Sequence, residues 1–350
     1  MLESLVPLLR CPVTHSELTV KLVKRTAKLL DGENRDIMDE AVLYATADWF
    51  YPVIGGIPRL TVEAFLDHAS FLKQADADYE NRKTGLLNKY PELIKEALKK
   101  NKRTKKSFAK EWSVYQYDAD KTWDADDEAM VARFLKETDE IRETLAHKII
   151  FDAGCGNGKL DVLIAPFCKT VVAMDFADSM KEAYKRNQFA NLHFIEGDVH
   201  YPPLLFGHFD LVHCSGVLIH TANAAHAFNC IEPIVKEAGK LSVWLYHPRR
   251  DVIHNLFNWI RKFTSKLPLG VQYYLYRFTI FPVSYCIKRW KGNKQNSREM
   301  MVNILDWFTP QYRSEHEHAE VADWFARKGY TKNKVTTTDD FGFNMIGVKP

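Results

Sequence analysis

No two cysteines of this sequence stand in C-x-x-C spacing. The six (positions 11, 155, 168, 214, 230 and 286) are scattered, which argues against a zinc knuckle and against a disulfide framework and fits a reducing, cytoplasmic setting. The chain also lacks an unbroken apolar run of about 20 residues, the length a membrane-spanning helix needs. The nearest, 267–290, is interrupted by Arg277 and Pro282. The stretch from Met1 to Pro7 carries an acid, Glu3, where a secretory signal is basic. Charge of one sign is scarce as well: a formal net charge of +3 over 350 residues gives no strong pull toward nucleic acid. With 46% apolar and 27% charged residues, the composition is that of an ordinary globular protein of one large domain plus an appendage, or of two domains.

What the chain does have is a glycine turn at its centre. Ile149, Ile150 and Phe151 favour strand and run into Asp152, after which glycine recurs at 154, 156 and 158. A buried strand, a glycine-rich turn and a helix are how a doubly wound sheet holds a nucleotide-like cofactor. From here strand and helix alternate, as a parallel sheet requires. Strands are expected at 149–153, 170–174, 192–196, 209–214 and 240–246. Asp178 is the expected N-cap of one intervening helix, and another covers 221–236. Helical periodicity also runs from Asp127 to Leu145. Near the end, Ser314 to Glu317 reads as a capping box, its helix stopping at Gly329 ahead of an edge hairpin at 332–337 and 343–348.

A dinucleotide fingerprint would put its third glycine at position 159, which is Lys159 here. The spacing of Gly154, Gly156 and Gly158 behind Asp152 instead resembles the S-adenosylmethionine motif of seven-stranded, Rossmann-like methyltransferases. The stretch that begins Phe209-Asp210-Leu211-Val212 and runs on to His220 is similar to that family's fourth-strand signature. The resemblance covers 149–246 and, more loosely, 300–350 through Asp306 to Tyr312. It implies an α/β fold with a seven-stranded sheet, helices on both faces, and S-adenosyl-L-methionine as cofactor. It also implies a cofactor site made of Asp152, Gly154, Cys155, Gly156, Gly158, Asp175, Phe176, Asp198, Val199 and Cys214. Asp175 would accept from the ribose hydroxyls and Asp198 from the adenine amino group, while Cys155 and Cys214 are read as small packing residues. One departure stands at Lys236 to Lys240, where the family has K-P-G-G.

The flanks are less specific. Residues 1–62, framed by Cys11-Pro12 and by Tyr51 to Leu60, resemble the small β-rich domain related to tRNA-methyltransferase activators. Thr14 stands where zinc-binding relatives have their second cysteine, so a zinc-free domain is expected, acting either as a partner platform or as a packing module. Residues 63–110 read as a helical linker whose end, Lys95 to Lys110, holds eight basic residues. That run is either a nucleic-acid patch or a solvated face. Tyr115, Tyr117 and Trp123 either line a cofactor entrance or anchor a helix. Residues 247–308, rich in aromatics and bases, read as a helical insertion in the methyltransferase domain at 111–350. It serves as a lid, as plain packing or as an interfacial membrane contact.

The expectation is a cytoplasmic methyltransferase acting on a small amphipathic acceptor, with O-methylation preferred. His220, after the fourth strand, is the candidate base, since an unperturbed histidine pKa of about 6.5 suits that task. His200, His213, Tyr246 and His247 are expected near the same edge. The alternatives are methylation of tRNA, rRNA or protein, and a non-catalytic activator subunit. No metal and no disulfide is expected.

Overall fold

The protein is described from a computed structural model that covers residues 1–122, 125–249 and 251–350, with the backbone alone at 101, 102 and 253. Trp123 and the Lys102 side chain therefore lie outside the described residues.

Five central strands are parallel: β5 (Ile149–Ala153), β6 (Thr170–Asp175), β7 (Leu192–Gly197), β8 (Phe209–Ser215) and β9 (Val235–Tyr246). Their apolar runs are buried on both faces, as strands covered by helices must be. β11 (Gly342–Val348) adds antiparallel to β9, and β10 (Lys332–Thr338) closes that edge. The order β7-β6-β5-β8-β9-β11-β10 reverses direction at β5/β8. At such a switch point the loops diverge and leave a crevice at the carboxyl ends of the strands.

The expected strand boundaries hold within a residue or so except at β9, which begins at Val235, not Lys240. The Lys236–Lys240 segment forms a bulge against β8, with Ala238 at φ +60°. Two helix starts also differ. Asp178 lies inside a short 3-10 turn capped by Ala177, and its carboxylate is held by Arg59. The capping box at Ser314 does not form: the Ser314 backbone N–H and hydroxyl both donate to the Ile219 carbonyl, and the helix starts at His318. Helix 127–145 is split at Asp139, which sits left-handed at φ +52°.

Residues 1–62 give β1 (Thr19–Leu30), β2 (Glu33–Tyr44), β3 (Phe50–Ile54) and β4 (Ile57–Leu60). The first two are 12 residues each. This meander joins the central sheet, because β4 pairs parallel with β7 through Arg59 and Leu60 opposite Glu196 and Gly197. Eleven strands thus form one sheet among the described residues. A buried ionic cluster locks the junction. Arg59 donates to Glu196 at 2.9 Å and to Asp178 at 2.7 Å, and Lys105 reaches Glu196, Glu63 and Asp67.

Lys105 belongs to the helix Pro91–Trp112, which runs from this cluster to the crevice. Residues 247–308 form four helices, Val252–Thr264, Leu269–Phe278, Ile280–Trp290 and Ser297–Phe308. They share a core of Tyr276, Phe281, Met300, Met301, Ile304, Leu305 and Phe308.

Candidate active site

One cavity of about 1280 Å³ opens along the carboxyl ends of the parallel strands. Each strand supplies part of its floor: Gly154 and Gly156 after β5, Asp175 at the end of β6, Asp198 after β7, Gly216 after β8 and Tyr246 at the end of β9. The helix Pro91–Trp112 gives Phe108, Glu111 and Trp112 to one wall, and the insertion gives Phe257, Ile280 and Asp306 to another.

The turn needs its glycines for stated reasons. Gly154 sits at φ +107°, and a Cβ there would lie 2.1 Å from Val217 Cγ2. Gly156 sits at φ +58°, with a Cβ position 2.9 Å from the Trp112 ring. Both are left-handed positions that only glycine occupies cheaply. Gly158 is different: its Cβ would meet Phe194 and Ala183, so it packs the following helix on the sheet and does not line the cavity.

Asp175 ties the turn together. Its Oδ2 accepts from the Gly156 N–H at 2.9 Å, and its Oδ1 from the Ala177 N–H and the Ser179 hydroxyl. Burial pushes its pKa up to about 6. A carboxylate has about four acceptor sites, so one remains for a ligand hydroxyl. Phe176 faces the cavity beneath the Lys105 ammonium. Asp198 lines the next portion, with Oδ1 accepting from the His200 backbone and Nδ1, and Val199 lies beside it. The Cys155 side chain borders the cavity with its thiol pKa pushed well up by burial, whereas Cys214 is fully buried in the core and lies off the cavity.

The histidines divide sharply. His213 is clamped between Asp152, at 2.8 Å, and Glu137, at 3.0 Å. Burial opposes its charge, yet the two carboxylates raise its pKa to about 10. It is an imidazolium with both protons engaged, so it cannot serve as a base, and Asp152 is occupied with holding it. His247 bonds to loop carbonyls of Pro248 and Asp339 and lies off the cavity. His220 does face the cavity. Its Nδ1–H donates to the Tyr312 carbonyl at 3.2 Å, which leaves the Nε2 lone pair toward Asp306, 3.6 Å away. Burial lowers its pKa, so it is neutral. The Tyr246 hydroxyl donates to Asp306 at 3.0 Å.

No motif or periodicity singles out Glu111. It is buried, its Oε2 has no hydrogen-bond partner among the described residues, and burial followed by the charges of Asp306 and Asp175 raises its pKa well above the carboxylate range. It lies between the Asp175 and Asp306 ends of the cavity. Tyr115 and Tyr117 do not line the cavity; the Tyr115 hydroxyl donates to the Asp120 carbonyl.

These features define a Rossmann-like domain with a cleft at its glycine turn, and residues 151–243 match the family model described as a methyltransferase domain. The centre of the chain is a methyltransferase domain. No curated protein matches the chain. Similar solved structures include the magnesium protoporphyrin IX methyltransferase of Synechocystis PCC 6803 with bound SAH, at 15% identity, 71% of this chain, 98% of that one and a TM-score of 0.41. The YcgJ protein of Bacillus subtilis is similar at 14% identity, with 63% and 98% covered and a TM-score of 0.36. So is a chain from the Haloferax volcanii complex containing the Trm112 methyltransferase activator, at 16% identity, with 67% and 98% covered and a TM-score of 0.38. The assignment rests on the sequence match and on the geometry of the cleft.

Proposed function

We propose that the chain transfers the methyl group of S-adenosylmethionine to a hydroxyl of a small amphipathic acceptor. The observation that carries this reading is a continuous cavity of about 1280 Å³ that runs from the glycine turn to His220 and the insertion. Ligand pockets commonly measure about 300–1,000 Å³, so this one has room for a second ligand beside the donor. Its far end joins apolar walls, Phe257 and Ile280, to one polar cluster of His220, Asp306 and Tyr246.

When bound, S-adenosylmethionine supplies an electrophilic methyl on a sulfonium that leaves as a neutral thioether. The residues around it would do the rest. Asp175 and Asp198 would hold the ribose and adenine ends, with the glycine turn passing close beneath. His220 would take the acceptor's hydroxyl proton at Nε2 as the new O–C bond forms and the C–S bond breaks. The Tyr312 carbonyl fixes its tautomer, and Asp306 stabilises the imidazolium that results. Water exclusion by the insertion would align acceptor and methyl.

A nucleic-acid acceptor docking on the 95–110 run has less support, because three of its bases are used within the fold. Lys100 pairs with Glu96, Lys105 is held by the acid cluster, and Lys110 lies over the Tyr273 ring. The test is transfer of radiolabelled methyl from S-adenosylmethionine into a fractionated cell extract. Label in the small-molecule, organic-soluble fraction is expected. Label confined to the RNA or protein fraction would overturn the small-acceptor reading.

A further inference from the structure

The insertion is apolar on two sides. Inward, its helices pack on the shared core around Tyr276 and Met301. Outward, the first three carry a second stripe at helical spacing. Helix Val252–Thr264 exposes Val252, Leu256, Trp259 and Phe263, at i, i+4, i+7 and i+11. Helix Leu269–Phe278 exposes Val271, Tyr274 and Phe278, and helix Ile280–Trp290 exposes Val283, Ile287 and Trp290. Trp290 is 87% exposed, Val252 83% and Phe278 75%. A surface helix normally gives water its polar face, and large apolar patches facing outward mark interaction sites.

Charge says what fits this face. Between Asp251 and Glu299 the sequence holds no acidic residue and nine basic ones. Lys262, Lys266, Lys291 and Lys294 are exposed, and none pairs with an acid among the described residues. Exposed tryptophans beside lysines, with no acids, suit the boundary between lipid headgroups and acyl chains: the rings enter and the ammonium groups stay at the phosphates. No described helix is long and apolar enough to cross a membrane, so contact would be along the surface.

We propose that the outer face of residues 252–290 docks on an anionic lipid bilayer. The inner face of the same helices supplies Phe257 and Ile280 to the cavity. An acceptor dissolved in the bilayer would therefore meet the cavity wall from the lipid side, a corollary that rests on the methyl-transfer reading above.

The experiment is co-sedimentation of the full chain with vesicles of phosphatidylcholine alone and of phosphatidylcholine with phosphatidylglycerol, with neither donor nor acceptor present. Its failure would thus leave methyl transfer standing, and failed transfer would leave it standing. Binding should be about tenfold or more tighter to the anionic vesicles, since each basic side chain near the surface contributes on the order of 1 kcal/mol, and should weaken with salt. The triple variants Trp259→Ser/Phe278→Ser/Trp290→Ser and Lys262→Glu/Lys266→Glu/Lys291→Glu should each lose about tenfold or more. Both should keep wild-type affinity for S-adenosylhomocysteine, which shows them folded. Equal binding to both vesicle types, unchanged binding by the variants, or no binding at all would overturn the proposal. So would a dimer in sedimentation velocity that the aromatic triple dissolves, because the face would then belong to a second copy.

Discussion

His213 donates from Nδ1 to Asp152 at 2.8 Å, and the contact joins β8 to β5 directly under the glycine turn. The opposite nitrogen is held by Glu137, so the imidazolium is buried with both protons satisfied. Its folded pKa of about 10 lies above the ordinary 6.5. The stabilisation is therefore complete below the ordinary value and is lost as pH rises through the folded one. Denaturant titrations over that range should show wild-type stability falling by on the order of 3 kcal/mol relative to His213→Gln. Parallel pH profiles for the two proteins would remove the charge from His213.

Glu196 answers both Arg59 and Lys105 where the N-terminal meander meets the central sheet. Glu196→Ala leaves two buried cations short of a partner, which costs about 3–5 kcal/mol. The melting temperature should drop sharply and with a single transition, since β4 and β7 share one sheet. Two separate transitions in the wild type would show that the meander folds independently of the core.

Gly154→Ala puts a methyl group 2.1 Å from Val217 at a left-handed φ of +107°. The turn must shift, and affinity for S-adenosylhomocysteine should fall by about tenfold or more, while Gly32→Ala, with open space around its Cβ position, should leave affinity unchanged. Equal affinities would mean that the turn does not contact the donor.

His220→Ala should lower kcat by about 100-fold or more, the usual share of a positioned base, once an acceptor is in hand. S-adenosylhomocysteine affinity should stay within twofold or so. A His220→Gln variant that restores kcat would assign His220 a hydrogen-bonding role instead of a proton-accepting one.

The legible parts of this fold were local. A strand that runs into alternating glycines fixes its own backbone, so β5, its turn and the acids ending β6 and following β7 could be placed from spacing alone. The illegible parts depend on distant segments meeting. Glu111 and Asp306 face one cavity across nearly two hundred residues, and no periodicity in either helix marks that encounter. His213 reads like His220 in sequence; Asp152 on the neighbouring strand and Glu137 from a preceding helix together turn it into a clamped cation. The capping pattern at Ser314 was outcompeted by the Ile219 carbonyl, a partner no local rule supplies. The junction of β4 with β7 is just two register pairs long, too short to show in hydrophobic alternation.

In the proposed donor site Asp175 is central, and its pKa of about 6 would give a second, pH-dependent signature. The ionised carboxylate accepts hydrogen bonds that the protonated form cannot, so donor affinity should weaken as pH falls below that value. The most direct measurement is calorimetric titration of S-adenosylhomocysteine into wild type and Asp175→Ala at neutral pH. A well-defined one-to-one complex with the wild type and at least roughly a tenfold loss in the variant is the expected result. Equal affinity in the two proteins, or no binding by the wild type, would contradict the placement of the methyl donor at this turn.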